Sequence, residues 1–420
     1  MTIEPPVRIE NRAQLIHLLS EAAELEHAIC CCYLFAAFSM KSSTEEGLSE
    51  QQLEAVQRWQ RMILDIAIQE MLHLALVNNL LTSIGAAPYI RRPNLPTSPS
   101  VYPGTFELEL RPFNEETMRN FVFLERPESV MNEDILASSR RPQPLKARDI
   151  FSDRPEYKTV GHLYRGIQDG FVYLNEKYGE ENLFIGSKQS QIAAYPRLVG
   201  IVSVTNITTA KEAIQRIVEQ GEGAQADVKT GHYALFVGIQ KEYEAMKLAD
   251  PSFEPGRPVM VNPYTHIPGD ILDANKVNLV EDAGAVALCN LFDGAYEVLV
   301  QMLGRLFSHA EESDAEVKLL GDITVGFMTR IITPLAYMIT RLPAGPSHEG
   351  LCAGPSFYLP RNMSTPPHKR AAWLLWRERM KELAAYCTIL ETYQDATPGL
   401  GRIGQTLSRF ATRITDSGVI

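Results

Sequence analysis

Residues 66–77 read IAIQEMLHLALV, and within them Glu70-Met71-Leu72-His73 places a carboxylate three residues before an imidazole. On a helix those two side chains share a face, and their neighbours on it are Ile63, Ile66, Ala67, Leu74 and Val77. A carboxylate among such groups loses several kcal/mol of hydration unless it is paired or bound to a metal. E-x-x-H alone is commonplace on helix surfaces; the apolar surroundings single this one out. The helical period extends over 50–84, with Leu53, Val56 and Met62 on related faces, and Gly85 and Pro88 end it.

Working outward, residues 11–41 form a second periodic segment, with Leu15, Leu18, Leu19, Ala22, Leu25, Ile29 and Leu34 at three- and four-residue steps. Glu26 lies between Leu19, Ala22, Ala23, Ile29 and Tyr33 on a face that is otherwise uncharged. Two buried-looking carboxylates on partner helices point to a shared ion. Tyr33 follows Glu26 by two turns and is placed to orient a ligand. Four-helix bundles build di-iron sites from one Glu on each of two helices and an E-x-x-H on each of the other two; these two helices supply half of that set. A competing pair, Glu24 and His27, points roughly 160° and 100° away from Glu26 and reads as a polar contact at the helix edge.

The other half is less regular. His162 falls on a segment at 158–178, flanked by Val160, Leu163 and Ile167; Glu219 and Glu222 close a segment at 209–222; His232 opens one at 231–249. With no second E-x-x-H on a core face, the site has to draw Glu222 (or Glu219) and His232 from separate turns. Cys30, Cys31 and Cys32 point about 100° apart on their helix and cannot converge on one metal, so they read as small buried hydrophobes.

The remaining chain sets the architecture. A Pro- and Ser-rich stretch follows Pro88, TFELELRPF alternates like a strand, 115–124 reads as a short helix, and the insertion 88–155 is loop-rich. Pro251, Pro255, Pro258 and Pro263 mark a boundary, with residues 1–255 forming a metal-binding bundle and 256–420 a C-terminal helical layer built from 276–311, 315–341, 366–394 and 400–415. Trp373, Trp376, Arg377 and Glu378 in that layer are placed to close a substrate pocket. A net charge of −11 leaves no basic excess for nucleic acid. The uncharged stretch Ala28–Met40 is too short to span a bilayer, no secretory signal reads from the first residues, and GxGxxG and Walker patterns are absent. The expectation is a cytoplasmic protein without membrane or nucleic-acid partners, the long apolar helices being compatible with a homodimer.

In order along the chain, LxxAAELEHAICCCYLFAAFSMK from Leu19, IQEMLHLALVNNLLTSIGAAP, FELELRPF, TVGHLYRGI, QGEG, HYALFVGI and AGPSF resemble the ferritin-like proteins grouped with iminophenylpyruvate dimer synthase, the ferritin-like part of a violacein-pathway enzyme. The resemblance runs from about residue 12 to residue 390. It implies a mainly α fold, a ferritin-like four-helix bundle with a second packed helical layer and a small irregular or β insertion. It also implies a metal-dependent oxidative step in natural-product biosynthesis on an amino-acid-derived substrate. It implies Glu26, Glu70 and His73 as ligands, with Glu222 and His232 as further ones; where similar proteins carry Glu this chain has His162, which would give three imidazoles and three carboxylates.

Such a donor set suits iron, two ions, with manganese second, and dioxygen as co-substrate; Tyr33, Tyr164 and Tyr233 are placed to orient ligands or relay electrons. Three functions compete: a dioxygen-dependent di-metal oxidase, an oxidative coupling enzyme of the dimer-synthase kind, and a non-enzymatic iron-storage or structural protein. Storage in a cage would need a single compact bundle, which the insertion and the second layer argue against.

Overall fold

The computed structural model describes residues 7–97, 102, 107–127, 157–193, 198–221, 231–271, 273–308, 311–393 and 399–420. Helix α1 (Arg12–Ser39) starts where Asn11 accepts the Gln14 N–H, and it is buried on nearly every side from Leu15 onward. A helix apolar all round has to be enclosed, and α1 is. Helix α2 (Glu50–Ser83) opens with a reciprocal Ser49–Gln52 cap and runs antiparallel to it. Arg12 at the start of α1 donates to Ile84 O at the end of α2 (2.8 Å), and Gln60 donates to Ala37 O (2.8 Å). The same register puts Glu26 level with Glu70.

Helices α3 (Glu115–Leu124), α4 (Val160–Tyr178), α5 (Ile207–Gly221) and α6 (His232–Ala249) complete this half. α4 packs on α1, α5 on α2, and α4 on α5, which closes a four-helix bundle; α3 and α6 pack on each other beside it. On α6, Glu242 accepts from Trp59 Nε1 of α2 (2.6 Å). That brings His232, ten residues earlier on an antiparallel path, back to the level of Glu70.

The second layer consists of α7 (Ala283–Leu306), α8 (Asp314–Phe327), α9 (Thr333–Ile339), α10 (Lys369–Tyr393) and α11 (Leu400–Asp416). The sequence predicts one helix over 315–341. Instead, a π-helical turn at Met328–Ile332 joins α8 to α9, because Pro334 near the start of α9 has no N–H to continue the α ladder. The TFELELRPF stretch is not a strand over its described residues. Leu108 and Leu110 are buried and Glu107 is exposed, so the alternation is real, but it is tied down singly, by Thr97 and by Asn262, rather than by a ladder. Among the described residues the only strands lie outside the 88–155 insertion, a two-residue parallel pair of Pro263–Tyr264 with Asn278–Leu279.

Buried residues on both sides of the 255/256 boundary join one core. The proline-rich segment is clamped to the end of α1, where Arg257 N donates to Ser39 O (2.8 Å) and its buried guanidinium reaches Met40 O (2.7 Å) and Glu46. By length and composition, Arg12–Ser39, Ala283–Leu306 and Asp314–Ile339 are apolar enough to cross a membrane. This corrects the expectation drawn from uncharged stretches alone; most of each apolar window is buried within the fold. All six cysteines are free, and the 30–32 triplet is buried.

Candidate metal centre

The level register of α1 and α2 converges four of the residues singled out in the sequence. Glu26, Glu70 and His73 are each 2% exposed and His232 is fully buried. His73 Nδ1 lies 3.1 Å from Glu70 Oε2 and 3.4 Å from Glu26 Oε2. On the other side of Glu70, His232 Nδ1 lies 3.0 Å from Oε1 and 3.6 Å from Oε1 of Glu125. Two groups of three therefore share Glu70: Glu26–Glu70–His73 and Glu70–Glu125–His232.

Glu125 was not anticipated. It follows the last residue of α3, with its side chain 10% exposed. It continues the face of Met118 and Phe121 at three- and four-residue spacing, the same signal that marks Glu26; ending the helix at Leu124 hides it. Two tyrosines hold the outer carboxylates. Tyr33 donates to Glu125 Oε1, and Tyr164 donates to Glu26 Oε1.

Other expected members stand elsewhere. His162 is buried on α4, but that helix shows Val160, Gly161 and Tyr164 to the cavity. His162 points about 160° from Tyr164 and joins neither group. Tyr233 is partly exposed, a third of a turn round α6 from His232, and does not line the cavity. Glu219 is exposed and accepts from Gln215 (2.7 Å). Glu222 lies outside the described residues. Trp373 and Trp376 are buried in the second layer, and nothing on α10 lines the cavity. The competing pair separates: Glu24 accepts from Tyr89 (2.8 Å), while His27 bonds Ile90 O (2.8 Å) and Tyr296 (2.6 Å).

The electrostatics of the centre are those of carboxylates forced together. Burial, reinforced by the neighbouring Glu70, raises Glu26 to about 8, so it holds a proton at neutral pH. Burial opposes a charge on either imidazole, yet the carboxylates outweigh it. His232 rises to about 9 beside Glu125 and Glu70, and His73 rises well above its ordinary value beside Glu70 and Glu26. Protons thus balance charge that a cation would balance better.

The residues fit a metal on three counts. Donor atoms bonded to one ion at about 2.1 Å sit roughly 3.0–3.4 Å apart, and the distances above run from 3.0 to 3.6 Å. His232 Nδ1 is buried and makes no well-directed hydrogen bond despite its short distance to Glu70. The cavity beside these groups holds about 30 Å³, room for ions or a water or two and not for an organic substrate.

Known proteins similar to this chain identify its family. The family model described as Ferritin-like matches residues 19–241, more than half of the chain. The chain belongs to the ferritin-like family. This ferritin-like chain is 26% identical over 376 residues to the 2-imino-3-(indol-3-yl)propanoate dimerase of Chromobacterium violaceum, covering 83% of this chain and 34% of that one. It is also 26% identical over 419 residues to the dichlorochromopyrrolate synthase of Lentzea aerocolonigenes, covering 91% and 40%. The chain thus spans about a third to two fifths of the length of these curated relatives. A crystal structure of a ferritin-like protein from Caulobacter vibrioides is similar at a TM-score of 0.48 and 18% identity, over 83% of this chain and all of that one.

Proposed function

We propose that this chain is an oxidative enzyme of natural-product biosynthesis, holding two metal ions, iron first and manganese second, and using dioxygen on a small amino-acid-derived substrate. The observation that carries the reading is Glu70, which stands between two donor groups of mixed carboxylate and imidazole character. Iron bound in such a setting supplies one-electron chemistry toward dioxygen.

The chain's own residues do the rest. Glu26 and His73 would hold one ion and Glu125 and His232 the other, with Glu70 standing between the two groups. Tyr164 and Tyr33 orient the outer carboxylates by donating to them. Ile29, Leu124 and Ile217 in the lining keep bulk water from the donors, which strengthens every charge interaction inside.

A second reading, oxidative coupling of two such substrates, is favoured by the names of both curated relatives, a dimerase and a synthase. One experiment separates the possibilities. Protein loaded anaerobically with ferrous iron is given dioxygen and 2-imino-3-(indol-3-yl)propanoate or related imino acids, with oxygen uptake and product mass recorded. Two irons per chain and substrate-dependent uptake support the oxidase, and a product of doubled carbon skeleton selects coupling. Failure of the wild-type chain to retain iron would sink both.

A further inference from the structure

The two imidazoles of the centre are anchored in the same unusual way. His73 Nε2 lies 3.0 Å from Oε1 of Gln220, and His232 Nε2 lies 2.9 Å from Oε1 of Gln69. An amide oxygen only accepts, so each Nε2 must carry the proton. A neutral ring with hydrogen on Nε2 has its lone pair on Nδ1, and both Nδ1 atoms face the carboxylates. We propose that Gln69 and Gln220 are positioning residues that hold both imidazoles in the Nε2–H tautomer, so that Nδ1 is presented to a divalent cation. The inference rests on the metal reading above and adds to it.

Three features argue for this role. The ties cross between helices in a reciprocal pattern: α2 lends His73 to a glutamine of α5, and lends Gln69 to the histidine of α6. Each ring is therefore oriented from a different element than its own. The anchors are also neutral. Histidine ligands commonly donate to a carboxylate or a carbonyl, and a further carboxylate here would add negative charge to a centre that already crowds three carboxyl groups together. An amide fixes the ring and leaves the charge unchanged. Finally, Gln69 and Gln220 both line two outer cavities of about 430 and 510 Å³. Each glutamine thus borders these outer cavities while its amide oxygen meets a histidine of the centre.

The test uses Co(II) as the probe on the whole chain. In the wild type we expect two exchangeable, paramagnetically shifted Nε2–H proton resonances that persist because the glutamines shield them. Gln220→Met should abolish or rapidly exchange one, Gln69→Met the other, each weakening Co(II) binding roughly 10- to 100-fold. Gln220→Glu keeps an acceptor and should retain its resonance, with affinity within a few-fold of wild type. If the glutamines merely clasp helices, the Met variants melt earlier but keep both resonances and full affinity, and the proposal is overturned. Should the Met variants not fold, the wild-type spectrum decides: two slowly exchanging signals support the proposal, and their absence in loaded protein overturns it. Wild-type protein that takes up no Co(II) overturns the metal reading itself, an outcome distinct from loaded protein that ignores the glutamines.

Discussion

Helix α1 carries two buried polar clusters on different faces, and they are built on opposite principles. On the bundle side, Glu26 meets Glu70 and His73, and Glu70 in turn meets Glu125 and His232, with carboxylates crowded until protons must be borrowed to balance them. On the side facing α7, His27 has both ring nitrogens bonded, and burial lowers its pKa to about 3, so it is neutral. There Tyr296 also meets Cys31 Sγ (3.2 Å) and Arg92, whose guanidinium donates to Phe357 O (2.6 Å). Asp293 in the same layer accepts from Ser356 Oγ and Tyr358 N. A cluster whose members largely satisfy one another, Arg92 Nε excepted, holds a fold together. One whose members repel is held in place by the fold for something else.

This contrast can be broken by experiment. The largest effect should come from Glu70→Gln: metal content measured by elemental analysis falls from near two ions per chain to well below one. His27→Phe in the same assay keeps its metal, and loss there would erase the distinction. His27→Phe should instead lower the unfolding free energy of metal-free protein in denaturant by about 2–4 kcal/mol, since Ile90 O and Tyr296 lose a buried partner.

Asp293 sharpens the contrast through pH. Burial raises it from 3.8 to about 7. The folded state therefore binds its proton more tightly than the unfolded chain does. The stability this contributes is complete below about pH 4 and is lost as pH rises through 7. Asp293→Asn should lose nothing over that range, gaining on wild type by about 2 kcal/mol at pH 8, a figure discounted because solvent partly reaches the group. A difference that does not grow with pH would show the carboxylate charged throughout. The smallest effect should come from Tyr164→Phe, which removes one donor from Glu26. Metal affinity by titration should fall less than tenfold, and a total loss would make Tyr164 a direct participant.

Much of this was legible in the sequence. Glu26, Glu70 and His73 stand out because helical periodicity makes a charge on an apolar face conspicuous, and the lengths of α1 and α2 follow from the same pattern. His232 was legible as a histidine opening a helix. What was hidden was hidden for physical reasons. Glu125 sits one residue past a helix whose end is set by local chemistry, and Gln69 and Gln220 look like ordinary surface amides until their partners are known. His162 occupies an apolar helix, but the rotation of α4 about its axis is decided by packing, which turns Gly161 and Tyr164 inward instead.

The enclosure of α1 also bears on how the protein can be divided. Its far side is covered by residues more than 240 positions away: Phe38 lies against Tyr337 at 5.2 Å and its carbonyl accepts from Thr340, His27 and Cys31 meet Tyr296, and Gly354 leaves room for no more than hydrogen against Phe35. A chain cut after Pro255 would keep every donor atom of the centre and expose half of its most apolar helix. Such a fragment should be recovered as aggregate, and supplying residues 256–420 during refolding should restore it. The portable unit, for recombination or for evolution, is then the whole two-layer assembly and not the bundle that bears the centre.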